Sequence, residues 1–170
     1  MMDNMKKYVN VAPRRAFWTM LCVSATLLMS AQAPALKHVF DIHAECAPAL
    51  VSGDVPHGKR VMIPITGGYV DGGITASILP GGADYQLVDE SDGRVEYKAV
   101  YTFMTADSVL VNVTNEGVSR QNDEGFYFTT TPKFEVGRES AYDWLNNHVF
   151  VCRPIGFDNG CVHLRVWKVE

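Results

Sequence analysis

The stretch ILPGGADYQLVDE, Ile78–Glu90, decides the fold. Two β-type runs meet there across Pro80-Gly81-Gly82, a turn with no room for a crossover helix. Strands joined so closely must run antiparallel. The same pattern repeats in both directions. Ser91-Asp92-Gly93 is a hairpin signal and leads into the strand Val95–Met104. Ala106-Asp107-Ser108 turns the chain into Val109–Thr114, and Asn115-Glu116-Gly117 breaks it again. Upstream, Val39–Glu45, Arg60–Thr66 and Ile74–Leu79 read as strands, with a turn-rich segment from Ala47 to Gly58. Downstream, Ser119–Gly125 reads as a polar loop. Phe126–Thr131 and Phe134–Val136 are short strands split by Pro132, and His148–Cys152 and Cys161–Val169 close the list. Only Ala141–Asn147 suits a helical turn, and no ten-residue segment has a 3.6-residue apolar period. Eight or nine strands without crossover helices predict an all-β fold. A single sheet of that size has exposed edges that closure removes. A single antiparallel up-and-down β-barrel of about eight strands is the first expectation, and a two-sheet sandwich is the alternative.

The N-terminus reads differently from the rest. Lys6, Lys7, Arg14 and Arg15 precede an apolar run, Phe17–Ser30, which is followed by Ala31-Gln32-Ala33. Basic, apolar, then small-x-small is the order of a cleavable export signal. The apolar run falls short of the roughly 20 residues that span a bilayer, although a membrane anchor is the alternative reading. Arg14-Arg15-Ala16-Phe17 partly matches a twin-arginine signal, with Pro13 where Ser or Thr is usual. The expected organisation is a signal at residues 1–33 and a β-barrel domain at 34–170, exported to the periplasm or secreted. The whole chain has 15 basic and 19 acidic residues. Without residues 1–33 it has 11 basic and 18 acidic residues, a net charge of −7. That charge disfavours nucleic acid and anionic membrane surfaces as partners.

Cys22 lies in the signal. Cys152 and Cys161 flank the loop RPIGFDNG, and in an oxidising compartment a disulfide between them is expected, which would leave Cys46 unpaired. No Cys-x-x-Cys pair points to zinc. Asp41, His43 and Glu45 share one strand face, which suits either a metal or plain solvent. The expectation is no metal and no cofactor. The Gly-Gly pairs lack the Lys-Ser/Thr and the helix of a phosphate loop, and no G-x-S-x-G elbow occurs.

Strand alternation sorts the remaining candidates. Asp84, Gln86 and Val88 share one face. Tyr97, Ala99, Tyr101 and Phe103 share another, opposite Glu96, Lys98 and Thr102. Asp84 is either a turn residue after Gly-Gly or a carboxylate in a partly dry pocket, suited to moving a proton. Glu135 is either a surface glutamate or its partner.

The motifs Pro56-x-Gly58-x-Arg60, Ile65-Thr66-Gly67-Gly68 and Leu79-Pro80-Gly81-Gly82-Ala83-Asp84 occur in that order. Asn115-x-Gly117, Tyr127-Phe128, Pro132-x-Phe134-Glu135 and Tyr142-x-Trp144-Leu145-Asn146 follow. Together they resemble the domain of unknown function 3237 family, over about residues 37 to 169. The resemblance implies a small antiparallel β-barrel and no established reaction. It adds weight to Asp84, Glu135, Tyr142, Trp144 and Asn146, which match the family's residue types. Three departures alter any pocket. The segment Val118–Phe126 is shorter, Thr129 stands where the family often has Arg, and Asp107-Ser108 replaces an Asp-Gly turn.

The functional expectation is a small-molecule pocket. If the protein is an enzyme, Asp84 and Glu135 act as base and acid in an isomerase- or lyase-type proton transfer. Tyr101, Tyr142, Trp144 and Asn146 then hold the substrate. The alternative is a lipocalin-like binding protein without turnover.

Overall fold

The computed structural model of the chain describes residues 32–170; residues 1–31 of the expected export signal, Cys22 among them, lie outside the described residues. Ten strands follow one another: β1 (Leu36–Cys46), β2 (Leu50–Val55), β3 (Gly58–Gly72), β4 (Ala76–Ile78), β5 (Gly82–Asp89), β6 (Arg94–Thr105), β7 (Leu110–Asn122), β8 (Gly125–Val136), β9 (Phe150–Asp158) and β10 (Cys161–Val169). A 3-10 helix, Asp143–Asn147, precedes β9.

All pairings are antiparallel, and they run in a ring. β1 pairs with β10 on one edge and with β3 on the other. From β3 the ladder passes through β4 and β5 to β6, then β7, β8, β9 and back to β10. The two runs flanking Pro80-Gly81-Gly82 are not antiparallel to each other as the sequence predicts: β4 and β5 run in the same direction, each between β3 and β6, because the Pro-Gly-Gly segment interrupts one line of strand without reversing it. The architecture is an all-β, barrel-like sheet. The long strand β3 makes the ring possible by changing partners along its length. Its first part, Gly58–Met62, takes β2 on the edge that Ile65–Gly72 gives to β1. The ring is thinnest between β8 and β9, where Thr130↔Cys152 is the single bridge. The Arg153 Nε donates to the Phe128 carbonyl across the same gap at 3.3 Å.

Three segments are more regular than the sequence predicts. β2 forms inside the turn-rich stretch Ala47–Gly58. β7 runs unbroken through Asn115-Glu116-Gly117 and the polar run after it. Gly117 is there because β8 approaches closely: a Cβ would collide with the Thr129 carbonyl and with Thr130. β8 continues through Pro132, beside the edge where β9 makes one bridge, so the missing N–H disrupts no ladder there.

Inward residues divide the interior by height. Phe40 and Ile42 of β1, Val70 of β3, Phe103 of β6, Val111 and Val113 of β7, Phe134 of β8, Phe150 of β9 and Val166 of β10 pack into one core. Phe134 meets Phe150 edge-on, with centroids 5.0 Å apart. The 3-10 helix closes this end. Its Leu145 is fully buried, which contributes roughly 1.5–3 kcal/mol, and Trp144 tilts onto Phe150 at 5.8 Å. Toward the other end the inward residues become smaller or polar.

The expected disulfide does not form. Cys152 stands opposite Val166, whereas Cys161 stands opposite Asp158. The two cysteines are therefore five positions apart along the ladder, roughly 17 Å at strand rise. Disulfides need Cα atoms within about 7 Å. Cys46, Cys152 and Cys161 are all free thiols. The hairpin between the cysteines is tighter than its composition suggests, because β9 runs on to Asp158.

Ser108 holds a left-handed backbone with φ of 65°, a conformation that a side chain disfavours. Its N–H still closes the turn onto the Thr105 carbonyl at 2.9 Å. Ser108→Gly is expected to raise stability by about 0.5–1 kcal/mol, seen as a higher thermal midpoint by circular dichroism.

Candidate functional site

The turn Pro80-Gly81-Gly82 does the positioning. Gly81 takes φ of 109°, open to glycine. Gly82 lies against Tyr101: a Cβ there would come within 2.5 Å of the Tyr101 Cβ. The turn thus sets the start of β5 beside the middle of β6, and alternation points Asp84, two residues on, to the interior. Asp84 pairs with Ile63 on one side and Ala99 on the other, and Ala99 pairs with Asn115. The small Ala99 leaves space between the two polar side chains. A second row runs Tyr97, Gly117, Thr130, Cys152.

These rows surround a cavity of about 700 Å³, large enough for one small organic molecule. Ile63, Ile65 and Leu164 line its apolar side. Tyr97 stacks on Phe128 with centroids 4.5 Å apart, and Phe126 meets Phe128 edge-on. Phe126 and the hairpin residue Phe157 stand largely exposed at the rim.

The polar groups of the cavity are few and close to the packed core. Among the described residues, four buried polar side-chain atoms have no hydrogen-bond partner: Asp84 Oδ1, Tyr101 Oη, Asn115 Oδ1 and Thr130 Oγ1. All four residues line the cavity. Tyr101, Asn115 and Thr130 are each 4 % exposed, so water does not readily serve them. A buried polar atom left unpaired costs about 1–3 kcal/mol. Such a group in a native fold calls for an explanation, and a ligand supplies one.

Burial raises the Asp84 carboxyl above the usual carboxylate range. The hydrogen bond from Gln86 and one from the Lys98 backbone oppose that shift without cancelling it. Gln86 Nε2 donates to Asp84 Oδ2 at 2.7 Å, while Oδ1 is buried without a hydrogen-bond partner. Burial also raises the Tyr101 phenol well above its ordinary value, with the charges of Cys152 and Asp84 adding to the effect. The Cys152 thiol lies against Thr130 and Asn115, and burial pushes it up to about 12. At that value it stays a thiol and is no nucleophile. Tyr97 Oη and the buried Ser119 hydroxyl satisfy each other at 2.8 Å.

The structure brings two of the expected site residues together, Asp84 and Tyr101, and separates the other four from them. Glu135 is exposed on the outer face of β8, opposite Asn112. Phe134 takes the inward position beside it, so alternation turns Glu135 to solvent, and the paired-carboxylate arrangement does not occur. Tyr142, Trp144 and Asn146 belong to the plug at the packed end, not to the cavity. The Tyr142 hydroxyl donates to Asp107 Oδ1 at 3.1 Å. Asn146 clamps the end of β8: its Nδ2 donates to the Val136 carbonyl at 2.9 Å and its Oδ1 accepts from the Val136 N–H at 3.0 Å. Asn115 and Thr130 escaped the sequence reading, because Asn-Glu-Gly looked like a turn and Pro132 like a break. The alternation Thr130, Pro132, Phe134 was the available signal.

Asp41, His43 and Glu45 lie on the outer face. Burial raises the Asp41 carboxyl, but hydrogen bonds from Arg165 and His38 outweigh it and hold it below the usual range. Arg165 grips it with two donors, at 3.1 and 3.0 Å. His43 and His163 meet Nδ1 to Nδ1 at 2.6 Å, each with its Nε2 on a carboxylate, Asp71 and Asp158 respectively. Among the described residues no group of three His, Cys, Asp or Glu side chains is placed to hold a metal ion.

With this geometry in view, the chain belongs to the DUF3237 family of proteins of unknown function, whose model matches residues 34–169. It is 36% identical over 129 residues to a UPF0311 protein of Bradyrhizobium diazoefficiens, covering 68% of this chain and 84% of that relative. A conserved protein of unknown function from Rhodopseudomonas palustris superposes with a TM-score of 0.74 at 32% identity, over 82% of this chain and 99% of its own. A beta-barrel like protein from Acinetobacter baumannii gives 0.75 at 26% identity, over 84% and 99% of the two chains. An enzyme from Penicillium herquei gives 0.67 at 21% identity, over 82% and 96%, a likeness of fold alone.

The raised Asp84 carboxyl has a consequence for stability. A carboxyl whose folded pKa exceeds its unfolded one favours folding at acid pH, and that contribution is lost as pH rises from the unfolded through the folded value. Asp84→Asn is therefore expected to stabilise the fold at pH 7, on the order of 1 kcal/mol, with the gain vanishing toward pH 3. Paired denaturation curves at the two pH values measure it; a loss at pH 7 would make Asp84 a structural turn residue.

Proposed function

We propose that this protein binds one small, largely apolar organic molecule in the cavity of a closed up-and-down barrel, and that Asp84 exchanges a proton with it. The observation that carries the reading is that all four residues with an unpartnered buried polar atom line one cavity. Folding leaves these atoms under-satisfied, and a bound polar head would complete them. The aromatic pair Tyr97 and Phe128 offers a face on which a planar body stacks. Asp84 needs no second carboxylate for isomerase- or lyase-type chemistry, since one group takes a proton and returns it elsewhere on the same molecule. Binding without turnover, as in lipocalins, is the second reading, and the outward position of Glu135 favours it over a mechanism with separate acid and base.

We also propose that the site works outside the cytoplasm, in the periplasm or the medium. The basic-apolar-small order of residues 1–33 supports export, and the family match begins at residue 34, where the signal would end.

Two outcomes are expected. The neutral fluorophore Nile red should brighten on binding the purified domain. Ala99→Phe, which fills the space between Asp84 and Asn115, should remove at least 90% of that signal while the circular dichroism spectrum is unchanged; an undiminished signal would place the probe elsewhere. Mass spectrometry of the exported protein should find an N-terminus near Pro34, and an intact Met1 would refute export with cleavage.

A further inference from the structure

The ligand's polar head can be specified from what the cavity offers it. Among the described residues no Lys, Arg or His lines the cavity, whereas Asp84 and Asp158 do. A carboxylate or phosphate ligand would meet only like charge there, in a dry setting where repulsion is strong. The head is therefore not anionic when it enters. The four unpartnered atoms differ in kind. Asp84 Oδ1 and Asn115 Oδ1 accept hydrogen bonds; the Tyr101 hydroxyl has no partner in the fold, and the Thr130 hydroxyl has only the weak Cys152 thiol against it. Hydroxyl donors and a carboxylate on the wall of one cavity call for a ligand oxygen that accepts and an adjacent hydrogen that can leave.

Resting on the pocket reading above, we propose that the substrate is a neutral carbonyl compound with an apolar, ring-sized body, and that Asp84 and Tyr101 enolise it. Tyr101 and Thr130 donate to the carbonyl oxygen. Asp84 Oδ1 removes a proton from the carbon next to the carbonyl. The C–H bond breaks, its electron pair forms the C=C bond, and the carbonyl π pair moves onto oxygen as an enolate. The Tyr101 donor strengthens as charge gathers there. Asp84, now a carboxylic acid, trades its proton with solvent before handing one back to the original carbon, or returns the same proton to a more distant carbon of a conjugated system. The result is exchange or double-bond migration, and no other reactant is consumed. Gln86 is a positioning residue: by occupying Oδ2 it leaves Oδ1 as the unpartnered, basic oxygen. Desolvation acts in the same direction, since it makes the carboxylate a stronger base than it is in water. Fixed donors and a fixed base in a water-poor site are sufficient for this class of reaction.

The test uses 2-tetralone as substrate and 2-naphthol, a stable aromatic enol, as the binding probe. In D₂O, proton NMR should show the hydrogens beside the tetralone carbonyl exchanging faster with protein than in buffer, with saturation in ketone. Asp84→Asn should reduce exchange to the buffer rate. Tyr101→Phe should slow it about 10²- to 10³-fold while 2-naphthol still binds by calorimetry, which separates lost chemistry from lost folding. If 2-naphthol binds but tetralone exchanges at the buffer rate, enolisation is overturned and the pocket reading stands. If neither compound binds, both fall. Unchanged exchange in Tyr101→Phe would overturn the role given to its hydroxyl.

Discussion

The pairing of β1 with both β10 and β3 is the constraint from which the rest follows. Once a sheet closes on itself, every strand has one face inside and one outside, and alternation assigns every side chain without further choice. β3 serves two neighbours on one edge because it is 15 residues long, taking β2 near its start and β1 near its end. The outer faces of β1 and β10 secure this closure with polar contacts. Arg165 holds Asp41 across the two strands, and the His43–His163 contact joins them one pair further along. Two of the three metal candidates of the sequence, Asp41 and His43, are thus committed to seams of the wall.

Closure also explains why the interior is divided. A small closed ring of strands has about enough room for its own side chains, so a hollow appears where inward residues are small. Ala44 and Ala99 supply that space at one end; Phe103, Phe134 and Phe150 fill the other. The packed end stabilises the whole, and the hollow end gives up packing that larger residues would provide. Cavities in protein interiors carry a free-energy penalty, and unpaired polar atoms within them add to it. The molecule concentrates both penalties in one place, at the boundary between packed and hollow. Functional sites are where such local losses are usually found.

The fold was legible because its signal is short-range. Ser91-Asp92-Gly93 marks a hairpin by its own backbone preferences, and alternation sorts Tyr97, Ala99, Tyr101 and Phe103 onto one face, whereas Pro80-Gly81-Gly82 interrupts a strand without reversing it. The errors came where tertiary demand overrode local meaning. Gly117 is a close-approach glycine in mid-strand, Pro132 sits beside a gap in the wall, and Ser108 takes a glycine's conformation. Cys152 and Cys161 looked paired because a loop seemed to join them, when the ladder in fact continues and carries them apart. The motif Tyr142-x-Trp144-Leu145-Asn146 was specific and was still misread. Its residues fit together because the plug needs a buried leucine, an aromatic on Phe150 and an amide that clamps Val136. A residue-type match shows that a position matters and is silent on whether packing or chemistry is the reason.

Glu135 sharpens that distinction. Two carboxylates in one dry cavity would repel, and one would be driven to keep its proton. By facing Glu135 outward, the fold removes that repulsion and leaves Asp84 with a neutral retinue: an amide on one oxygen, a phenol and a hydroxyl nearby, and no cation to fix it as an anion. A carboxyl so placed is held neither firmly ionised nor firmly neutral by any partner of its own. Under the proposed function its protonation state is set by whatever enters the cavity, so that a ligand's hydrogen-bonding pattern, more than its charge, decides how tightly it is held. On that proposal the same lack of a counter-ion that costs the fold stability is what suits the site to a neutral guest.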